Sequence, residues 1–287
     1  MSGPTMPSMT LGHPVLDALD KPGLRALLGN VVSRRRTRQM GQPVVMSRRR
    51  GQWTYSVGGR ILSPSMHGWV DPRNWDRQTQ DIFFWKYQPK RGDTVLDIGA
   101  GIGTELFAYA DRVGEDGRIY ALEAHPATFE RLAALYDFNK GAAIRSSVVL
   151  ECLAASDVAG TVLISDTPND QENSLVTSGG MPTAATTLDS FVAEQGIDRV
   201  DFLKMNIEGS ERAALSAAGR MLSITRNAAI SCHDFLSDTT GDPHFRTKSF
   251  VRALLLDAGF DVQERPEAAD PWQRDYLYAT RPSTLHT

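Results

Sequence analysis

Residues 94–112 read Thr94-Val95-Leu96-Asp97-Ile98-Gly99-Ala100-Gly101-Ile102-Gly103-Thr104-Glu105-Leu106-Phe107-Ala108-Tyr109-Ala110-Asp111-Arg112. A short apolar run, Thr94–Ile98, gives way to three alternating glycines, and a helical pattern follows over Glu105–Arg112. Glycines at a strand-to-helix handover let the backbone turn tightly and approach a ligand, with the N–H groups of the helix start facing it. A dinucleotide fingerprint would place its third glycine at position 104, where Thr104 stands. Asp97, before the first glycine, would also repel a pyrophosphate. The loop therefore disfavours NAD and suits a ligand that carries an amine and a sulfonium and no phosphate.

Downstream of this loop, strand and helix patterns alternate. Arg118–Leu122 reads as a strand, Ala127–Asn139 as a helix, and Val148–Leu153 as a third strand with an added one at Thr161–Ser165. Leu188–Gln195 is helical, Val200–Ile207 a strand, Ser210–Ala218 a helix and Ala228–Cys232 a strand. A helix over Phe245–Ala258 precedes a last strand pair, Phe260–Glu264 and Tyr276–Thr280. This alternation predicts an α/β fold: a doubly wound, mostly parallel seven-stranded sheet with helices on both faces. Glu123 ends the second strand, 20 residues past Gly103. A carboxylate there can accept bonds from both hydroxyls of a ribose. Gly99, Ala100, Gly101 and Gly103 with Asp97 and Glu123 together point to an S-adenosyl-L-methionine (SAM) site.

The N-terminal part differs in character. Lys21–Val70 holds ten Lys and Arg with no Asp or Glu, hence +10, whereas 71–287 carries -11 within a total of -3. Val15, Leu16 and Leu19, then Leu24, Leu27 and Leu28, predict two short helices broken at Pro22-Gly23. The arginine run Arg34–Arg50 follows, and then a hairpin, Gln52–Val57 and Arg60–Leu62, about a Gly58-Gly59 turn. Asp76–Tyr87 reads as a helix. The chain divides into a basic extension, 1–75, and a main domain, 76–287. No apolar run approaches the ~20 residues of a membrane span, and the N-terminus lacks the pattern of a secretory signal. The two cysteines, Cys152 and Cys232, are too few for a disulfide framework, which points to a reducing cytoplasm.

The chain resembles the class I SAM-dependent methyltransferases, whose domain is Rossmann-like, and more narrowly the FkbM family. The residues that carry this are Asp97–Gly103, Ala154-Ala155-Ser156-Asp157 with Gly160, Thr187-Leu188-Asp189-Ser190-Phe191, and Asp201–Glu211 (DFLKMNIEGSE), over about residues 75–235. Asn206 departs from the usual Asp of the last motif. The resemblance implies O-methylation of a small hydroxylated molecule such as a sugar or natural-product intermediate, and it places Ala154 against the adenine of SAM.

Along Val200–Ile207, alternation puts Phe202, Lys204 and Asn206 on one face. A buried Lys204 requires a partner, and Glu208 is the nearest candidate in sequence. Asn206, Glu208 and His233 are expected to converge where the fourth and fifth strands end. His233 is the expected general base, with Glu208 as its substitute, because a hydroxyl acceptor must lose its proton. Asn206, His233 and Asp234 offer a divalent-metal set, but Asn in place of Asp weighs against one. The other histidines, His125 among them, are expected at the surface. Asp166–Thr186 reads as a mobile lid or substrate loop, and Trp69, Trp75 and Trp85 as pocket lining.

Two other functions compete: a nucleic-acid methyltransferase gripping phosphates through its arginines, and a non-catalytic SAM-binding scaffold. The acidic main domain and the missing Asn/Asp-Pro-Pro-aromatic motif argue against nucleic acid. No membrane partner is expected. The basic extension is read as a cap or as a dimerisation arm through which a homodimer would form.

Overall fold

A computed structural model describes residues 21–49, 52–62, 72–167 and 173–282. Val15–Leu19, Trp69 and Pro168–Asp170 lie outside the described residues. The main sheet is built from β4 (Thr94–Ile98), β5 (Arg118–Leu122), β6 (Ser147–Glu151), β11 (Val200–Met205), β12 (Thr225–Ser231), β13 (Asp261–Gln263) and β14 (Tyr276–Thr280). Its order is β13-β14-β12-β11-β4-β5-β6, with β14 antiparallel to both neighbours and β11, β12, β4, β5 and β6 paired in parallel. Every residue of β11 is buried, as a central parallel strand covered on both faces requires.

Two cores sandwich this sheet. One gathers Val95, Phe107, Tyr109, Phe202 and Tyr278, on the face of α3 (Leu106–Val113) and α4 (Pro126–Asn139). The other gathers Leu96, Ile98, Leu203 and Met205 with α5 (Leu188–Glu194), α6 (Glu211–Ser216), α7 (Gly219–Ile224) and α9 (Lys248–Asp257). The alternation expected along β11 is thus realised, since Phe202 falls in the first core and Leu203 and Met205 in the second. Between β12 and α9 stands α8 (Asp234–Thr240), which the apolar pattern did not announce; near the C-terminus the short α10 (Pro271–Arg274) precedes β14.

The basic extension forms α1 (Pro22–Met40) and a meander of β1 (Val44–Arg49), β2 (Gln52–Val57) and β3 (Arg60–Leu62). The hairpin and its Gly58-Gly59 turn are where the sequence places them. After the extended Lys21, Pro22 opens a continuous 19-residue helix, the position where its missing N–H costs nothing, and this helix runs well past the short stretch expected at Leu24–Leu28. Arg34–Arg38 belongs to that helix rather than to a separate segment. A three-stranded sheet has two open edges, and side chains close both. At β1, Ser33 Oγ accepts from Met46 N at 2.8 Å and Thr37 Oγ1 from Val44 N at 3.0 Å. At β3, the Asn139 amide on α4 accepts from Ile61 N at 2.8 Å and donates to Ile61 O at 2.7 Å. Arg60 then pairs with Asp76 at 2.9 Å and Asp111 at 2.5 Å and lies over the Phe107 ring. Met46, Tyr55, Val57 and Leu62 share the first core with the main domain, and the helix Pro72–Gln78 (α2) crosses the boundary drawn at 75/76. A π-helical turn, Thr79–Phe83, follows α2 and ends the helix expected to reach Tyr87.

The segment Asp166–Thr186, expected as a mobile lid or substrate loop, contains two short strands, and residues 168–172 within it lie outside the described residues. A second sheet, ordered β7-β10-β8-β9, takes in Leu175–Val176 (β9) and Met181–Thr186 (β10) with Ala154–Ala155 (β7) and Gly160–Ile164 (β8). Short strands among polar residues leave little periodicity to read. Trp85 packs on Tyr278, with ring centroids 4.7 Å apart, and Trp75 on the same core, so both aromatics serve packing. Asn139→Ala strands a partly buried amide and carbonyl of β3, with an expected loss of about 1–3 kcal/mol in urea unfolding. An unchanged urea midpoint would show that the meander does not depend on this clamp.

Candidate active site

The site lies beyond the carboxyl ends of β4, β5, β11 and β12, where an open doubly wound sheet leaves a crevice. The glycine loop turns there because its backbone demands it. Gly99, Gly101 and Gly103 have φ of 77°, 57° and 85°, in the left-handed region. A Cβ on Gly99 would come 2.0 Å from Asn206 O, so this glycine lets β4 and β11 close on one another. Gly103 likewise abuts Leu132 of α4. Gly101 differs: a Cβ there meets nothing within 4 Å. Its N–H instead donates to Glu123 Oε2 at 2.8 Å, while His125 N donates to Glu123 Oε1 at 2.8 Å. Glu123 thus stands at the end of β5 against the loop, its carboxylate oriented by two backbone amides. Ala100, 2% exposed, is tied by its N–H to Leu122 O.

Asp97 and Lys204 face one another across the β4–β11 pair, 1% and 2% exposed, with Lys204 Nζ 2.9 Å from Asp97 Oδ1. Lys204 also donates to Gly99 O at 2.5 Å and lies over the Phe83 ring. Burial works against its charge, yet Asp97 and Glu105 beside it hold its pKa above the ordinary lysine value. The pairing of Lys204 with Glu208 read from sequence is corrected by this contact. Neighbouring parallel strands bring Asp97 to Lys204 across more than a hundred residues, a distance no local spacing reveals. Asp97, expected to face the ligand amine, is enclosed and acts on the loop through Lys204.

Glu208 pairs with His233 instead. His233 Nε2 lies 3.2 Å from Glu208 Oε2, and His233 Nδ1 lies 2.8 Å from Glu211 Oε1. Glu211 is fully buried and accepts also from Thr247 Oγ1 at 2.9 Å and from Gly209 N at 3.2 Å. Burial alone would lower the His233 pKa, but Glu211 and Glu208 outweigh it and push it up to about 10. The raised pKa favours the charged imidazole at neutral pH, the form in which both nitrogens can donate to these carboxylates. Glu208, at φ 48°, is the single non-glycine residue with positive φ among the described residues. Such a conformation costs ~1–3 kcal/mol and persists only where its surroundings over-determine it. Gly209 follows with its Cα against the Phe245 ring, where a Cβ would sit at 2.7 Å.

Asn206, Glu208 and His233 are thus gathered at the ends of β11 and β12, as the strand order requires. Asn206 is half-buried, and its N–H donates to Ile98 O at 3.0 Å. Asp234, offered from sequence as a metal ligand, accepts from Thr247 N and Lys248 N, both at 2.9 Å, and so opens α9. Among the described residues no cluster of three or more His, Cys, Asp or Glu is placed to hold a metal ion. Ala154, 2% exposed, lies in β7 paired with Ala185 of β10. His125, expected at the surface, is buried; its Nδ1 accepts from Thr128 N at the start of α4, and its Nε2 lies 3.3 Å from Asp166. Glu211 and Thr247 escaped prediction as site residues. The available signal for Glu211 was its place three residues after Glu208, but an acidic residue in a first helical turn has an ordinary explanation.

The sheet order with one antiparallel strand, and the glycine loop beside a strand-end carboxylate, define a Rossmann-like methyltransferase fold. The family model for the Methyltransferase FkbM domain matches residues 97–262, more than half of the chain, and the chain belongs to this family. Among solved structures, the methyltransferase FkbM from Methylobacillus flagellatus superposes at a TM-score of 0.51 and 18% identity, covering 73% of this chain and 50% of that one. This chain thus spans half the length of that protein. Fibrillarin from Aeropyrum pernix, solved with SAM bound, overlaps at a TM-score of 0.42 and 15% identity, over 83% of this chain and 98% of that one. A SAM-dependent methyltransferase from Aquifex aeolicus overlaps at 0.39 and 15%, over 74% and 97%. The search of curated proteins finds no match. No helix among the described residues is long and apolar enough to cross a membrane.

Lys204→Met leaves Asp97 buried without its counter-charge, and a loss of about 3–5 kcal/mol in chemical unfolding is expected. The double variant D97N/K204M should recover part of that loss; no recovery would mean the two residues act independently. The His233 charge has its own pH signature. Its folded-state pKa lies above the ~6.5 of a free histidine, so its contribution is complete below pH ~6.5 and fades as pH rises towards 10. The stability difference between wild type and His233→Gln should therefore shrink over that window. A difference that stays constant from pH 6 to 10 would count against the charged imidazole.

Proposed function

We propose that this protein is an O-methyltransferase that moves the methyl group of SAM to a hydroxyl of a small molecule, a sugar or natural-product intermediate. The observation that carries this reading is the Glu208–His233 pair at the ends of β11 and β12. A hydroxyl is a weak nucleophile until its proton is taken, and a carboxylate–imidazole pair is equipped to take it. An amine or a thiolate acceptor would have less need of such a pair.

The residues present fit SAM. Open space at Gly101 leaves room for a ligand against the loop, and Glu123 keeps lone pairs for ribose hydroxyls beyond the two amides it already engages. The Gly99–Gly103 loop would hold the methionine portion, and Ala154 is the proposed neighbour of the adenine. When bound, SAM supplies an electrophilic methyl group on a sulfonium that retains the bonding electron pair. Asp97 and Lys204 set the loop, and the Glu208–His233 pair receives the acceptor's proton. Much of the rate then comes from holding the acceptor in line. Metal independence is part of the proposal, since Asp234 is engaged in opening α9 and both His233 nitrogens face carboxylates. The free cysteines, Cys152 and Cys232, accord with the reducing cytoplasm proposed as its location.

The test is transfer from tritiated SAM into hydroxylated metabolite fractions, with and without EDTA. Transfer is expected to be insensitive to EDTA. Glu208→Gln should lower kcat by about 10²-fold or more while SAM still binds by calorimetry. Transfer to RNA alone, with no small-molecule product, would replace this reading by the nucleic-acid one.

A further inference from the structure

Glu211 has no access to solvent and cannot meet a substrate, yet it has the closest contact to His233. Both of its oxygens are engaged. Oε1 lies 2.8 Å from His233 Nδ1 and accepts from the Gly209 amide at 3.2 Å, an N–H that also approaches Nδ1 at the longer distance of 3.3 Å, and Oε2 accepts from Thr247 Oγ1. A carboxylate so held accepts only, so it obliges Nδ1 to carry a proton. At the opposite edge of the ring, Nε2 meets Glu208, whose side chain is 19% exposed and is the outermost of the three. The order from the protein interior outwards is Thr247, Glu211, His233, Glu208.

We propose that Glu211 is a positioning residue that holds His233 as a two-sided donor, so that a Glu208 oxygen, rather than His233 Nε2, accepts the proton of the acceptor hydroxyl. The inference rests on the methyltransferase reading and adds to it the identity of the proton-accepting atom. As the acceptor oxygen bonds to the methyl carbon, its proton passes to Glu208 and the former carbon–sulfur pair stays on sulfur. His233 keeps both of its protons throughout. The strained backbone at Glu208 has a reason in this scheme, because the strain turns the carboxylate onto Nε2 and fixes the accepting oxygen.

Other charged or titratable groups around His233 do not replace Glu211. Asp234 is spent on the amides of Thr247 and Lys248, and Asp275 accepts from Phe235 N and faces Lys248. Cys232 is buried with its thiol pKa raised, and burial keeps the neighbouring Tyr276 neutral. In Glu211→Gln the amide no longer compels a charged ring. Neutral His233 then becomes the acceptor, and activity acquires a dependence on its deprotonation.

The experiment is a pH titration of the histidine ring by NMR on the full chain without ligand, with wild type, Glu211→Gln and Glu211→Asp. The wild-type His233 resonances should not move between pH 5.5 and 8.5. Glu211→Gln should introduce a titration near pH 6.5, the ordinary histidine value, and Glu211→Asp should restore the flat response. In the transfer assay, Glu211→Gln should give a kcat that rises about tenfold from pH 5.5 to 7.5, with KM and SAM affinity within twofold of wild type. Wild-type His233 titrating near 6.5 would overturn the proposal without recourse to any variant. A Glu211→Gln protein that folds and still shows no titration in that range would overturn it as well. Failure of methyl transfer in the wild type would fall on the functional reading alone, because the titration needs neither SAM nor acceptor.

Discussion

Lys204 sits in the middle of the sheet, 2% exposed, with its ammonium between Asp97 and the carbonyl of Gly99. Two charges in such a place are tolerated only when each answers the other, and loss of either leaves the survivor uncompensated. The pair does more than neutralise. It joins β4 to β11 at the point where both strands end, and it holds the first carbonyl of the glycine loop. Gly99 makes the same junction possible sterically, since any side chain there would strike the Asn206 carbonyl. The loop, the strand-end Glu123 and the entry into Glu208 all take their positions from this closure.

The reaction end of the crevice follows from it. Once β11 is pinned against β4, the chain leaving Asn206 must turn within a few residues to start α6, and Glu208 adopts a left-handed backbone in doing so. Gly209 allows the turn to pass against Phe245. β12, paired in parallel beside β11, delivers His233 into the space between Glu208 and Glu211. A fixed cation between two fixed carboxylates needs little reorganisation when a proton arrives, which is how buried charge arrays contribute to rate. The basic extension packs on the first core and meets the main domain through Asp76, Asp111 and Asn139. Its β1 edge is closed by Ser33 and Thr37 of α1 and its β3 edge by Asn139 of the main domain, and Arg60 is anchored to Asp76 and Asp111, so part of its charge is structural.

The main sheet was legible because parallel strands buried on both faces are short apolar runs bounded by glycine, proline or charge, and the helices between them keep a 3.6-residue period. Thr94–Ile98 and Arg118–Leu122 carry such signals, and the antiparallel Tyr276–Thr280 is as apolar and buried as they are. The small second sheet did not, because β7 and β9 are two residues long and β10 begins Met181-Pro182-Thr183. The arginine run concealed a helix, since arginine is a good helix former but supplies no apolar stripe. His125 was placed at the surface because a histidine that opens a helix and bonds its first turn looks, in one dimension, like any polar residue after a strand.

By itself the sequence determined which residue types stand at the strand ends: the glycines that admit a close ligand, Glu123, Asn206, Glu208 and His233. It did so because strand and helix periods are local, and a doubly wound sheet always turns its carboxyl ends to one side. Which of these groups touch was decided only by the tertiary structure. Lys204 passes over its neighbour Glu208 for Asp97, and His233 is held from behind by Glu211. Partnership of that kind depends on strand order and on the angle at which α6 leaves the sheet. Both are outcomes of packing that join residues far apart in the chain.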